Sequence, residues 1–182
     1  GALFALLGWR WWSQARVMRM LRRGDVSEIL AHWSKSFERV PHAETMTPLL
    51  TATAFAAYGR VKDARRALAS AARGPAWEAA LEHRLFLDTM LTTFEGDIAQ
   101  AEELSSHLSA LPVPNESGVR DRVTALREAV AALVRAFQHT AKPSDLAQLE
   151  SASETSPLVH WAMRYGAAIV AIDLGQADKA RT

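Results

Sequence analysis

Apolar positions recur along this chain with the period of an amphipathic helix, in stretches of about ten to twenty residues that stop at glycine or proline. One short phrase follows four of the glycines. Its copies are Gly24-Asp25-Val26-Ser27-Glu28-Ile29, Gly59-Arg60-Val61-Lys62-Asp63-Ala64, Gly96-Asp97-Ile98-Ala99-Gln100-Ala101 and Gly175-Gln176-Ala177-Asp178-Lys179-Ala180. In each copy the second and fifth residues after glycine are apolar and the first and fourth are polar. The glycines are 35, 37 and 79 residues apart, the last interval being close to two units of the same size.

Glycine at a helix end takes the left-handed conformation that lets the chain reverse. Asp25 with Glu28, and Asp97 with Gln100, then have the spacing of a capping box for the next helix. Apolar residues three apart land on one face of that helix, ready to rest on the helix before it. The unit is therefore helix, tight turn, helix. Thr47-Pro48, Gly74-Pro75 and Ser156-Pro157 put proline at the first position of a following helix, where its missing N–H costs nothing. The pattern predicts helices at 2–23, 25–39, 48–58, 60–73, 75–95, 97–110, 117–140, 144–153 and 157–174, with a tenth opening near Gln176 and cut by the end of the chain. One unit has no turn glycine, so its turn is expected within Gln138 to Ser144, while the Pro-rich run Leu111 to Gly118 reads as a long connection and the most flexible point.

The stretch Leu49 to Pro75 resembles a tetratricopeptide repeat, a unit of about 34 residues. Ala52, Phe55, Gly59, Ala64, Leu68, Ala71 and Pro75 fill that family's small, aromatic, turn, alanine and terminal proline positions in order. Neighbouring units keep the period but lose parts of the motif, with Thr89 and Thr92 where the small and aromatic residues of the third would stand. The resemblance implies an all-α, right-handed α-solenoid of about five antiparallel helix pairs; a HEAT-like or other array of helical hairpins is the alternative. Two regions are expected: residues 1–23, apolar and then basic, and the repeat domain 24–182, truncated at its C-terminal end.

Composition agrees with a folded helical body. Of 182 residues, 49% are apolar and 23% charged, and no β-branched alternation or Asn-Gly turn signals a strand. There is no cysteine, hence no disulfide, thiol nucleophile or thiolate metal site.

The first residues carry a separate signal. Ala2 to Trp12 is apolar apart from Arg10, and five arginines with no acid fall between residues 10 and 23. Alone the run is too short to span a bilayer, which takes about 20 residues. As the last turns of a longer span, it would place Trp9, Trp11 and Trp12 in the interfacial aromatic belt, and Arg16, Arg19, Arg22 and Arg23 would hold the repeats in the cytoplasm, tethered to the inner face of a membrane. Two other readings are a soluble first helix of the first hairpin and a peripheral amphipathic anchor. A signal peptide is excluded because the basic residues follow the apolar run.

Catalytic and cofactor motifs are lacking. His32, His42, His83, His107, His139 and His160 are scattered with no pair four apart on a helix, and there is no Gly-x-Ser-x-Gly elbow, phosphate loop or dinucleotide fingerprint. No cofactor or metal is expected. Nucleic acid is disfavoured because Glu28, Asp63, Gln100 and Lys179 occupy one repeat position without sharing a charge. Trp33, Trp77, Trp161, Phe55, Phe86 and Phe137 read as core, with one or two left for a partner groove. A solenoid binds a protein or peptide on the concave face formed by its first helices. The polar candidates there are Thr51, Thr53, Tyr58, Glu82, Thr89 and Thr93. The expected function is a non-enzymatic interaction or scaffold module of a bacterial-type, membrane-associated protein. The alternative is a regulatory appendage of a membrane-embedded enzyme, such as an intramembrane protease, or of a transporter, with the active site outside these residues.

Overall fold

A computed structural model describes residues 41–155 and 158–176. The expected helices at 2–23 and 25–39, the Asp25 cap, the tryptophan and arginine group of residues 9–23, and the helix after Gln176 lie outside the described residues. Among these residues there are eight helices and no strand: α1 (Ala43–Ala57), α2 (Val61–Ala69), α3 (Pro75–Ala79), α4 (Leu81–Glu95), α5 (Ile98–Ala110), α6 (Ser117–Phe137), α7 (Pro143–Thr155) and α8 (His160–Asp173). The all-α expectation holds.

The turns explain the pairing. Gly59, Gly96 and Gly175 all have positive φ, at 69°, 84° and 71°. At Gly59 the N–H bonds to the Ala56 carbonyl and the Arg60 N–H to the Phe55 carbonyl, closing the helix end with two reversed hydrogen bonds. The same two bonds recur at Gly175, to Ile172, and Gln176, to Ala171. They recur again where no glycine stands. His139 has φ 55°, its N–H bonds to the Ala136 carbonyl and the Thr140 N–H to the Arg135 carbonyl. The missing turn therefore sits at His139, inside the expected window, and a histidine bears the left-handed strain that glycine bears elsewhere.

Helix starts follow their caps. The Asp97 carboxylate accepts from the Gln100 N–H at 3.2 Å, as its spacing predicts. At α7 the cap is different: Asp145, third in the helix, reaches back to accept the Lys142 N–H at 2.9 Å. The other Asp145 oxygen and the same one receive the Arg135 guanidinium at 2.7 and 2.9 Å, so one buried carboxylate both caps α7 and ties it to α6.

Three features of the helices and their connections differ from expectation in ways that side-chain contacts explain. α1 begins at Ala43, so Pro48 lies inside it instead of opening it. A proline there cannot bond to the carbonyl four residues back. That carbonyl, of Glu44, instead accepts the Ala72 N–H at 3.0 Å, and Thr45 Oγ1 donates to the Ala72 carbonyl at 2.9 Å. The segment after α2 thereby locks onto α1 through the group the proline frees. The predicted helix 75–95 breaks at Ala80 into α3 and α4. This break accompanies the burial of Trp77, with the guanidiniums of Arg73 and Arg84 lying 3.7 and 4.4 Å from its ring centre. The connection 111–118 is held rather than free, because buried Arg127 donates to the Leu111 and Pro112 carbonyls and Arg120 to those of Pro114 and Asn115.

Chain neighbours supply most of the contacts: α1 rests on α2, α4 on α5, α6 on α5 and α7, and α8 on α7. The longer helices α4 and α6, and α6 and α8, also pack side by side, and α8 touches α1. One buried cluster runs from Leu49 to Ala171. Leu87, Leu91, Leu108, Leu133, Leu149 and Met163 fill it, each worth about 1.5–3 kcal/mol in buried apolar surface. Alanines at Ala52, Ala64, Ala101, Ala129, Ala132 and Ala136 are fully buried and let the helices come close. Across hairpins, Arg65 on α2 straps α4 by bonding Asp88 at 2.6 Å, Thr92 at 2.8 Å and Glu95 at 2.7 Å.

Two predictions follow from the turns. A Cβ at Gly59 meets nothing within 4 Å, so Gly59→Ala bears only the left-handed backbone penalty and should lower stability by about 1 kcal/mol, whereas His139→Gly should raise it by about 1 kcal/mol; urea melts of both variants check this. Asp145 titrates below the ordinary carboxylate range because the Arg135 guanidinium bonds it, followed by its backbone bond from Lys142. Its stabilising effect is complete above the unfolded value near ~4 and is lost as pH falls through its folded value. Asp145→Asn should cost about 2 kcal/mol at pH 7, and the gap to wild type should close below about pH 4. Asp88, pushed up by burial against the pull of Arg65, is common to both proteins and cancels in that difference.

Candidate functional site

The polar candidates of α1 and α4 divide by burial. Thr53, Thr89 and Thr93 are interior, not on a solvent face. Each gives its hydroxyl proton to the carbonyl four residues back in its own helix: Thr53 to Leu49 at 2.8 Å, Thr89 to Leu85 at 2.6 Å and Thr93 to Thr89 at 2.7 Å. Satisfied in this way, a threonine packs like valine, so these three cannot contact a partner. Thr53 does one thing more. Its oxygen lies 2.7 Å from His83 Nε2 and, its own proton being spent on Leu49, accepts the imidazole N–H. This joins α1 to α4, and burial pulls the His83 pKa down, favouring the neutral ring, here with its proton on Nε2.

The other three reach the surface in part. Thr51 and Tyr58 are half-buried, and burial pushes the Tyr58 phenol up to about 12. Glu82 is exposed, and its Oε1 accepts from Arg127 Nε at 3.0 Å and Nη2 at 2.7 Å. Because Arg127 also holds the Leu111 and Pro112 carbonyls, Glu82 belongs to the knot that fixes the connection between α5 and α6.

What the first helices bring together instead is aromatic. Phe94 at the end of α4, Phe137 at the end of α6 and Tyr165 on α8 meet with ring centres 5.3, 5.8 and 6.0 Å apart. The two phenylalanines are half-buried against the core and Tyr165 is 57% exposed. Phe94 and Phe137 each stand two residues before the left-handed turn residue of their hairpin, Gly96 and His139. Repeat position therefore carries the signal for them, and it can be read only once His139 is recognised as a turn. Of the tryptophans expected in the core, Trp77 is there, but Trp161 is half-exposed and stacks edge-on with His160 at 5.2 Å.

An open groove of about 740 Å³ runs between α6 and α7, lined among others by Asp121, Arg122, Leu126, Gln148 and Ala152. The Gln148 side-chain oxygen beside it is buried without a hydrogen-bond partner. Among the described residues no three His, Cys, Asp or Glu side chains converge as metal ligands, and no helix is long and apolar enough to cross a membrane. The chain matches no family model, no curated protein and no solved structure.

The threonine bonds lead to a test. Thr89→Val should change stability by less than about 1 kcal/mol, since its hydroxyl serves only its own helix. Thr53→Val leaves the His83 N–H without its acceptor and should cost about 1–2 kcal/mol. Denaturant midpoints of the two variants compare them directly.

Proposed function

We propose that this chain is a non-enzymatic protein-interaction module, a right-handed array of tetratricopeptide-like hairpins that belongs to the cytoplasmic side of a membrane-tethered protein and takes a protein or peptide as partner. The two-bond turn closures repeated at Gly59, His139 and Gly175, with a positive-φ glycine at Gly96, support the array reading. The contact of α8 with α1 fits an array curved tightly enough for its first helices to converge.

The observation that carries the interaction is the aromatic group itself. Three successive first helices contribute one ring each, and the outermost, Tyr165, keeps more than half its surface in water. An exposed tyrosine backed by two half-buried rings offers a large, rigid contact of low entropic cost, with a hydroxyl to place one hydrogen bond. An apolar side chain presented by an extended or helical peptide suits it. The tether rests on the apolar run ending at Trp12 and the arginines that follow it.

Photo-crosslinking tests the reading. A benzoylphenylalanine placed at Tyr165 in the cell should give one discrete adduct, identified by mass spectrometry as another protein, while the same residue at exposed Glu103 on α5 should not. The same adducts at both positions, or none at Tyr165, would refute an interaction surface here.

A further inference from the structure

The open groove of about 740 Å³ between α6 and α7 has helical walls, because its lining residues recur three or four apart on each helix: Asp121, Ala125 and Glu128 on α6, and Ala147, Ser151 and Thr155 on α7. Leu126 and the buried Ala152 lie between them. The side chains of Ala125, Ala147 and Ser151 are small, which leaves room for a further helix to come close. Both walls are fixed from behind. Ala129, Val130 and Leu133 on α6, and Leu146 and Leu149 on α7, belong to the buried cluster, and the Arg135 bond to Asp145 joins the two helices at 2.7 Å near their turn.

The rim is acidic. Asp121 and Glu128 stand on the α6 wall, and Glu150 and Glu154, three and seven residues after Ala147, edge the α7 wall. All four are exposed, and none enters an ion pair among the described residues. Against them the lining holds one cation, Arg122, whose Nε is bonded to the Gly118 carbonyl at 3.0 Å. This local excess of negative charge stands in a chain whose net charge is +1. A second observation is independent of charge. The side-chain oxygen of Gln148, a lining residue, is buried with no hydrogen-bond donor, a costly state that a ligand bringing an N–H would relieve.

We propose that this groove binds an amphipathic basic helix of a partner protein. Its apolar side chains would rest on Ala125, Leu126 and Ala152, and the lysines or arginines flanking them would meet the four carboxylates. One long basic side chain, its stem lying along the alanines, would bring an N–H to Gln148. Complementary charge selects this occupant over an acidic or neutral helix. The wall from Ala147 to Thr155 covers about 12 Å, roughly two turns of such a helix. Phe94, Phe137 and Tyr165 do not line the groove, and Phe137 stands about 14 Å along α6 from Glu128. The groove is therefore a second surface, and the photo-crosslinking result at Tyr165 leaves the proposal untouched.

A fluorescent helical peptide of leucine and lysine is the probe, and the same peptide with glutamate for lysine is its control. In anisotropy titrations the full chain should bind the lysine peptide and not the glutamate one. Asp121→Lys/Glu128→Lys should weaken the lysine peptide roughly tenfold and let the glutamate peptide bind. Glu44→Lys/Glu103→Lys makes the same charge change at exposed sites on α1 and α5, and should alter binding by less than about twofold. Ala125→Trp, which fills the groove and leaves its charge alone, should weaken the lysine peptide as well. Unchanged helical circular dichroism shows that each variant is folded, and the Gln148 carboxamide signal in amide NMR spectra should move when the peptide is added to wild type. Equal loss in the two double variants would mean unspecific attraction, and indifference to Ala125→Trp with a still Gln148 signal would mean contact at the rim alone. No binding to wild type would mean that a basic helix is not the occupant, and a dimer in sedimentation equilibrium that Ala125→Trp dissociates would mean that a second copy is. Each of these results overturns the proposal.

Discussion

Chain reversal through a single left-handed residue is the constraint on which the rest of this structure depends. A helix that ends in this closure satisfies two of its last carbonyls and sends the chain back along its own flank within two residues. The following helix has little choice but to lie antiparallel on the one just finished. Once the reversal is set, the apolar residues at the second and fifth positions after it face inward without further instruction. Ala64 and Ala101 are buried for this reason, and the buried alanines and threonines of the preceding helices, Ala52, Ala56, Thr89 and Thr93, suit a close approach of two helices. The closure thus decides both topology and residue size at the first contact of each hairpin.

Between hairpins the cement is different. Contacts there lie farther apart in sequence, and charged side chains make several of them: Arg65 to Asp88 and Glu95, and Arg127 to Glu82 and the carbonyls of Leu111 and Pro112. A guanidinium can satisfy several acceptors in fixed directions, which fixes the angle between two surfaces better than apolar contact alone. Arg127 shows the consequence. It holds the Leu111 and Pro112 carbonyls while Arg120 holds those of Pro114 and Asn115, and together they make this connection part of the framework.

The parts legible in the sequence were those written in local chemistry. Gly59, Gly96 and Gly175, the Asp97 cap and the helical class depend on residues within a few positions of one another, and they stand where their spacing puts them. Long-range conditions were not legible. His139 has no sequence mark as a turn residue, because histidine takes the left-handed conformation far less often than glycine and the letter alone does not select it. Pro48 reads as a helix start until Ala72 is seen to use the carbonyl it frees. Thr53, Thr89 and Thr93 read as polar surface because the letter does not say where the hydroxyl bonds; four residues back, in the same helix, it disappears from the surface. The candidate site shifted accordingly from threonines to the aromatic residues Phe94, Phe137 and Tyr165, the first two of which stand two residues before a left-handed turn residue. The tryptophan and arginine group of residues 9–23 remains a reading of sequence alone.

α4, α6 and α8 lie side by side, and α8 also reaches α1. Phe94, Phe137 and Tyr165 meet where α4, α6 and α8 come together, the last spilling into solvent. Since Gly166 brings α8 against Leu133 and Leu149 with no side chain to spare, α8 cannot shift far without disturbing α6 and α7 as well. The aromatic group is therefore held from behind by a packed core, which is the condition under which an exposed ring binds a partner without first having to be ordered.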